Sequence, residues 1–322
     1  MSDLRPLGRT SIPISSIGLG CWQFSQGAGL TGGFWPALAP ETVDAIVAAS
    51  LAAGVNWFDT AEKYGDGLSE QALARALVAA GRANGDVVIA TKWWPLLRTA
   101  RSIGATIAER RARLAPFGID LHQVHWPLAF APVAAQMNAM ADLVEAGAIR
   151  AVGVSNFSVA GMREAHRALA RRGLRLASNQ VHYNLLDRRI ERNGVLRAAR
   201  ELGVTIIAYS PLAQGILSGK YHRDPNLVRS WRGLRRWMAR LRHPGLEESR
   251  PVVEALETIA SARGASPSQV ALSWLVHARG DLVTAIPGAS SPAQARENAG
   301  AMELRLDEGE TKRLDELSRQ FA

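Results

Sequence analysis

Four side chains in the first 125 residues could together deliver a proton to a carbonyl oxygen as a hydride from elsewhere reduces the carbon. They are Asp59, Tyr64, Lys92 and His125, and each lies at or just after a short apolar run. A free tyrosine has a pKa of about 10, too high for efficient proton transfer near neutral pH. A neighbouring lysine cation stabilises the phenolate and lowers that pKa, and a carboxylate beside the lysine keeps it ionised. A histidine N–H can orient the carbonyl oxygen and stabilise its developing charge. The set predicts hydride reduction of an aldehyde or ketone, with Tyr64 as general acid.

These residues stand at the ends of predicted strands. Short apolar runs alternate with longer amphipathic stretches, which is typical of repeated βα units. Eight strands are predicted, the number that a closed parallel barrel requires: Ile17–Gly20, Val55–Asp59, Val87–Thr91, Leu121–His125, Ala151–Ser155, Leu176–Gln180, Thr205–Tyr209 and Leu282–Ile286. Helices are predicted between them, among them Glu41–Ala53, Ser69–Ala80, Pro132–Ala146 and Ser158–Arg171. Because the carboxyl ends of barrel strands share one rim, polar residues far apart in sequence are expected to meet there.

The predicted fold is therefore α/β: a single (β/α)8 TIM barrel domain spanning residues 1–322. Leu4–Ile17 is predicted to form an N-terminal β-hairpin that plugs the barrel floor, with its turn at Gly8-Arg9. The longest irregular region, from Pro211 to Ser249, is a long loop after strand 7, and such loops are usually functional. Glycines stand where left-handed caps would end helices, at Gly54, Gly81, Gly147, Gly173 and Gly203.

Composition narrows the class of protein. Hydrophobic residues make up 47% of the chain, enough for one large core, and the net charge is +9. No apolar run approaches the roughly 20 residues of a membrane span, and Met1–Thr10 lacks the layout of a secretory signal. The lone Cys21 excludes an internal disulfide and fits a reducing compartment. We expect a cytoplasmic protein with no membrane or nucleic-acid partner, although the basic surplus alone does not choose between an anionic ligand and nucleic acid.

The motifs, taken in order, resemble those of the aldo-keto reductase superfamily. Phe58–Ala61 with Tyr64-Gly65, then Thr91-Lys92 and His125–Pro127, is similar to that family's catalytic tetrad. The resemblance runs from about Arg5 to Met302. It implies that Tyr64 is the acid, that Lys92 and Asp59 tune it, and that His125 orients the substrate.

The resemblance also implies a nicotinamide cofactor. Gly153–Phe157 resembles the family's carboxamide-binding strand end, with Asn179-Gln180 as its neighbour on the sixth strand. Tyr209–Gly215 resembles the segment whose tyrosine stacks on the nicotinamide and whose next residues cradle the pyrophosphate, and Ile286–Asn298 resembles the adenosine end. The predicted cofactor-binding residues are Trp22, Ser155, Asn156, Gln180, Tyr209, Ser210, Leu212, Gln214, Gly215, Gly288, Ser290, Gln294, Glu297 and Asn298.

The adenosine end favours NADPH. No acidic residue follows the eighth strand before Glu297, and Ser290, Ser291 and Arg296 can hydrogen-bond or pair with a 2′-phosphate. The family often places a basic residue earlier in this loop, where Gly288 and Ala289 stand here. This departure from the family pattern leaves NADH as an alternative cofactor.

Three other patterns are interpreted without a new function. Residues 27–32 match the glycine pattern of a dinucleotide-binding motif, which must be followed by a helix. Gly33–Pro36 cannot begin a helix, so a rim loop is predicted instead. His122 and His125 lie three apart on a strand and point to opposite faces, and no metal is predicted. The basic amphipathic stretch Arg229–Arg242 is interpreted as a capping helix, with a membrane or nucleic-acid site as the alternative.

Tryptophans 22, 93, 94 and 126 fall at or just past strand ends. They are expected to line a pocket for apolar or aromatic substrates, with core packing as the alternative. Two functions remain: an enzyme acting reversibly on a small-molecule carbonyl, or a redox-sensing regulatory subunit that binds cofactor and turns over slowly. A barrel enzyme with unrelated chemistry is a third alternative only if the four residues come together by coincidence. The substrate, the direction and the oligomeric state stay open, and a monomer is compatible with the sequence.

Overall fold

The computed structural model describes residues 4–28, 34–229 and 245–322. The strands in these ranges are β1 (Leu4–Pro6), β2 (Pro13–Ser15), β3 (Leu19–Gly20), β4 (Trp57–Asp59), β5 (Val88–Trp93), β6 (Ile119–Val124), β7 (Ile149–Ser155), β8 (Leu176–His182), β9 (Thr205–Tyr209) and β10 (Val283–Ala285). The helices are α1 (Pro40–Ala52), α2 (Leu68–Ala79), α3 (Arg101–Leu114), α4 (Val133–Glu145), α5 (Val159–Ala170), α6 (Arg189–Arg192), α7 (Val195–Leu202), α8 (Lys220–Arg223), α9 (Asn226–Arg229), α10 (Leu246–Arg263), α11 (Pro267–His277), α12 (Pro292–Gly300) and α13 (Glu308–Leu317). Most of the motif at 27–32 and of the basic stretch at 229–242 lies outside the described residues, so both interpretations stay predictions.

Strands β3 to β10 form the predicted barrel. They pair in chain order as one eight-stranded sheet, and each pair is parallel. The two edges of the sheet meet where Ile17 bridges to Ala285 and Gly20 bridges to Gly288. The N–H of Ala285 donates to the carbonyl of Ser16 at 3.0 Å across this seam. All the strands therefore end at one rim, as the sequence pattern predicts.

The predicted helix ends are confirmed. The five glycines expected to cap helices have φ between 66° and 87°: Gly54, Gly81, Gly147, Gly173 and Gly203. The Ser158 hydroxyl accepts from the N–H of Gly161 at the start of α5, and Pro40, Pro267 and Pro292 each occupy the first turn of a helix. None of the helices in the described ranges is long and apolar enough to span a bilayer.

The N-terminal hairpin closes the barrel floor, as predicted. β1 and β2 pair antiparallel, with Leu4 opposite Ser15. The hairpin residues Leu7 and Ile14 belong to a buried apolar cluster with barrel-lining side chains such as Trp57. Because this lower half of the interior is filled by apolar side chains, the polar interior side chains described below lie above it, toward the rim.

Candidate active site

The centre of the site is a buried ion pair inside the barrel. β4 ends with Asp59 and β5 carries Lys92, and their side chains are 1% and 0% exposed. The Lys92 ammonium donates to Oδ1 of Asp59 and, at 2.8 Å, to the carbonyl of Thr60. Its Nζ lies 5.0 Å from the centroid of the Tyr64 ring. The structure thus brings together the acid, the cation and the carboxylate that the sequence predicts.

The second oxygen of Asp59 is held by two amides. Nε2 of Gln180 donates to Oδ2 at 2.9 Å, and Nε2 of Gln123 donates to the same atom at 3.1 Å. With the Lys92 ammonium on Oδ1, both oxygens of this buried carboxylate are satisfied. Gln123 was not among the predicted site residues.

Tyr64 begins a short helical turn, Tyr64–Gly67, five residues after the end of β4. Burial raises the pKa of its phenol, and the Lys92 cation opposes that rise without outweighing it. The lowering by Lys92 has the predicted sign, but the net shift is upward because the phenolate would lose its solvation. The phenol is therefore protonated at neutral pH, which is the state that a general acid needs.

The turn that carries Tyr64 is anchored through the buried carboxylate of Glu62. This carboxylate accepts from the backbone N–H of Trp94, from the guanidinium of Arg110 and, at 2.9 Å, from Arg98. It therefore ties the loop after β4 to the loop after β5. Such contacts fix the position of the phenol relative to Lys92.

His125 completes the tetrad from just beyond β6. Its ring centroid lies 5.7 Å from that of Tyr64 and 5.2 Å from that of Trp94, both in edge-on geometry. Burial, with a smaller contribution from Lys92, holds the pKa of His125 well below its ordinary value. His125 is therefore neutral and can donate a hydrogen bond. His122, by contrast, lies near Arg110 of α3, and burial lowers its pKa to about 3.

Aromatic rings surround the tetrad. The Trp22 ring stacks on Tyr64 at 6.0 Å and on Phe34 at 4.5 Å, and Trp94 and Trp126 line the same cavity. Trp93 does not. It is fully buried in the apolar core, and its Nε1 donates to Ser102 at the start of α3. The pocket role predicted for Trp93 is thus wrong, because β5 continues through Trp93 and turns its side chain away from the Lys92 side.

A cavity of about 640 Å³ opens above the tetrad. Asp59, Tyr64 and His125 line it, while Lys92 lies buried beneath. Every residue predicted to bind the cofactor also lines it. Residues scattered over the whole chain therefore meet in one space of a size that suits a small-molecule ligand.

One end of the cavity presents oriented amide and hydroxyl groups. The Tyr209 hydroxyl donates to Oδ1 of Asn156 at 3.0 Å, and Nδ2 of Asn156 donates to Oγ of Ser155 at 2.9 Å. Asn156 has φ 61°, a strained conformation for a side chain-bearing residue. Since Gln180 gives its NH₂ to Asp59, its oxygen is the atom left to accept from a ligand amide.

The middle of the cavity is formed by the segment after β9. Ser210, Ala213, Gln214 and Gly215 all have positive φ, from 48° to 94°. Backbone N–H groups in such turns form concave sites that bind anions. The buried Oε1 of Gln214 has no hydrogen-bond partner among the described residues. These features fit a phosphate-bearing cofactor.

Lys220 adds a cation that the sequence analysis missed. It lines the cavity, and its Nζ would lie 3.4 Å from a Cβ placed on Gly215. The signal was present in the sequence, because Lys220 is one of only four lysines in a chain whose other cations are arginines. A compact ammonium is a common phosphate ligand.

The far end is polar. The Ser290 N–H and hydroxyl donate to Oε1 of Gln294 at 2.8 and 2.9 Å, and Glu297 accepts from the Ser266 hydroxyl at 2.6 Å. Ser291 and Arg296, which were predicted to contact a 2′-phosphate, are not among the residues that line the cavity. Ser291 instead caps α12.

Known proteins are similar to this chain in both sequence and architecture. An uncharacterized oxidoreductase of Mycobacterium tuberculosis is 37% identical over 310 residues, which cover 96% of this chain and 90% of that protein. The structure of the glycerol dehydrogenase from Gluconobacter oxydans matches with TM-score 0.82 and 28% identity, over 99% of this chain and 95% of that one. An aldo/keto reductase from Klebsiella pneumoniae in complex with NADP and acetate matches with TM-score 0.74 and 27% identity, over 98% and 95% of the two chains.

The sequence profile of one family covers nearly the whole chain, from residue 16 to residue 319. That range contains the buried Asp59–Lys92 pair, the adjacent Tyr64 phenol and the strand ends around the cavity. The predicted tetrad needs this barrel and this rim to bring its residues together, and both are present. Because the family profile matches nearly the whole chain, the chain belongs to the Aldo/keto reductase family.

Proposed function

We propose that the protein reduces aldehydes or ketones to alcohols with NADPH, and that Tyr64 is the general acid. The observation that carries the proposal is the Tyr64 phenol beside the buried Lys92–Asp59 pair, at the bottom of a cavity that all the predicted cofactor-binding residues line. A nicotinamide cofactor held there supplies the hydride. In the reverse direction Tyr64 must be a phenolate to accept the proton of the alcohol, and the Lys92 cation stabilises that phenolate.

The substrate oxygen is expected to bind between Tyr64 and His125. A neutral imidazole donates a hydrogen bond without surrendering its proton, so His125 orients the carbonyl while Tyr64 transfers the proton to it. The pKa of His125, held low by burial, keeps the ring in this state at all physiological pH values. Trp22, Trp94 and Trp126 around this point favour an apolar or aromatic group on the substrate.

The residues proposed to hold the cofactor divide into three groups. Ser155, Asn156 and Gln180 would bind the carboxamide, with Tyr209 against the ring, and Ser210–Gly215 with Lys220 would hold the pyrophosphate. Gly288, Ser290, Gln294, Glu297 and Asn298 would surround the adenosine. NADPH is favoured over NADH because a related aldo/keto reductase binds NADP and because no acidic residue stands between the eighth strand and Glu297 to repel a 2′-phosphate.

The test follows NADPH absorbance with a panel of aromatic and aliphatic aldehydes, comparing the wild type with Tyr64→Phe. We expect Tyr64→Phe to lose turnover by roughly 10²-fold or more, the usual contribution of a positioned acid, while NADPH still binds. Tyr183→Phe is the matched control, because that hydroxyl donates to Glu191 outside the cavity.

Equal turnover in the wild type and Tyr64→Phe would contradict the mechanism. Tight NADPH retention with negligible turnover on every substrate would instead support the regulatory-subunit alternative. Titrating NADH beside NADPH tests the cofactor preference, and tighter binding of NADH would refute it.

A further inference from the structure

We infer that Gln123 is a positioning residue for the reaction: its amide holds the Asp59 carboxylate in the orientation that keeps Lys92 beside Tyr64. The inference rests on the proposed function, since it concerns the same proton transfer. Gln123 lies on β6, is fully buried and is not among the residues that line the cavity. It therefore acts on the reaction only through Asp59.

The orientation of the Gln123 amide is fixed by its two neighbours. Nε2 donates to Oδ2 of Asp59 at 3.1 Å, while Oε1 accepts from the hydroxyl of Ser178 at 3.4 Å. A flipped amide would put its oxygen against the carboxylate, which is repulsive. The Asp59 carboxylate, which can only accept, thus determines which end of Gln123 faces it, and the hydroxyl of Ser178, on β8, binds the other end.

Gly153 provides the room for this arrangement. A Cβ at Gly153 would lie 2.3 Å from Oγ of Ser178 and 2.8 Å from Cγ of Gln123. Neither side chain can keep its place beside a residue larger than glycine. The absence of a side chain on β7 therefore lets a polar link cross the barrel interior from β8 to β4.

Gln123 differs in one respect from Gln180, the other amide on Oδ2. Gln180 lines the cavity and is available to a bound ligand, whereas Gln123 is enclosed by protein. Gln123 is thus the support of Asp59 that does not depend on what occupies the cavity. Without it, Oδ2 loses a donor in a dry environment, and the carboxylate must compensate through Lys92, the charged donor it already binds.

That compensation would weaken the action of Lys92 on Tyr64. The charged groups near Gln123 come from β4 and β5. The Gln123 amide contacts Asp59, Asp59 pairs with Lys92, and the Lys92 ammonium lies beside the Tyr64 ring. From β7 and β8, Gln123 faces Gly153 and Ser178, which carry no charge. A more tightly held ammonium stabilises the Tyr64 phenolate less, so the phenolate needed for alcohol oxidation would form only at higher pH.

The test measures the pH profile of alcohol oxidation with NADP⁺, the KM and kcat values, and the Kd of the cofactor, in the wild type and in Gln123→Met. We expect the rising limb of kcat to move to higher pH and kcat at neutral pH to fall roughly tenfold, the scale of one hydrogen bond to a charged group. The cofactor Kd should stay within about twofold, because Gln123 does not reach the cavity.

Gln136→Met is the matched control. Gln136 is equally buried, but its amide donates to the carbonyl of Ala131 outside the barrel interior. Gly153→Ala is a second route to the same displacement, since the new Cβ must push the Gln123 stem aside. We expect its pH profile to shift in the same direction, whereas that of Gln136→Met should match the wild type.

A folded Gln123→Met or Gly153→Ala variant whose pH profile superimposes on that of an active, Tyr64-dependent wild type would overturn this inference and leave the proposed function intact. A loss of kcat without a shift, matched by Gln136→Met, would reduce Gln123 to a structural residue and also overturn it. A wild type without carbonyl turnover would remove the proposed function and this inference together.

Discussion

Glu70 is a buried carboxyl group whose ionisation should make the protein less stable as pH rises. Its side chain is 0% exposed on α2, where it accepts a hydrogen bond from the Thr91 hydroxyl at 2.6 Å and has Arg113 at 3.6 Å. Burial raises its pKa from 4.5 to about 7, against the opposing effects of Thr91 and Arg113. Because each tenfold change in proton affinity is worth 1.36 kcal/mol, ionising Glu70 in the folded state costs about 3 kcal/mol more than in the unfolded chain.

The sign follows from the higher pKa in the folded state. Below pH 4.5 the carboxyl is protonated in both states, and the folded protein keeps its full stability. Between pH 4.5 and 7 the unfolded chain releases the proton while the folded protein holds it, so the free energy of unfolding falls. Above pH 7 both states are ionised and the loss is complete.

The assay compares Glu70→Gln with the wild type by urea unfolding at several pH values, followed by tryptophan fluorescence. The glutamine oxygen can still accept from Thr91, but the side chain cannot ionise. We expect the free energy of unfolding of Glu70→Gln to gain about 2 kcal/mol on the wild type between pH 5 and pH 7, whatever constant offset the substitution causes. The exposed Glu303→Gln serves as control. A difference between Glu70→Gln and the wild type that is the same at every pH would refute the reasoning.

Two further predictions concern the cofactor cradle and the barrel floor. Lys220→Met should raise the Kd of NADPH by roughly tenfold at low salt, and by less at high salt, because salt screens the exposed ammonium. The control Lys312→Met, on α13, should leave the Kd unchanged. Equal Kd values for both variants would contradict the pyrophosphate role of Lys220. Gly8→Ala should lower the free energy of unfolding by about 2 kcal/mol or more, since Gly8 has φ 59° and a Cβ would lie 2.5 Å from the Ala177 carbonyl oxygen. Gly81→Ala has the same left-handed backbone but open space, so equal losses in unfolding experiments would show that the floor contact adds nothing.

The barrel and the meeting of the candidate site residues at its rim could be predicted because both depend on patterns local to each strand. Each strand is a short apolar run, and the residue at its end must reach the common rim whatever the exact register. Asp59 and His125 therefore line the same cavity even though the predicted strand around His125 ended one residue late. The helix ends could also be predicted, because a single glycine is enough to indicate a left-handed cap.

The side chains inside the barrel could not be predicted in the same way, because they depend on which face each residue presents and on the register between strands. An error of two residues at the end of β5 was enough to put Trp93 in the pocket instead of the core. The register between β7 and β8 shifts at Val152 and Gly153, and a single glycine within the strand is the only sign of this in the sequence. Gln123 is one of three polar residues on its strand, with Asp120 and His122, and its role becomes visible only when Gly153 and Ser178 lie against it.

The polar upper layer of the barrel is better explained by chemistry than by stability. A buried ion pair such as Lys92–Asp59 seldom stabilises a fold more than apolar side chains of the same volume would, because both charges lose their hydration. The lower layer, filled by Leu7, Ile14 and Trp57, shows that an apolar interior suits this barrel. Charges and amides occur in the layer that faces the cavity, where they can set the proton affinity of Tyr64. Their position within the barrel thus points to proton transfer independently of any motif.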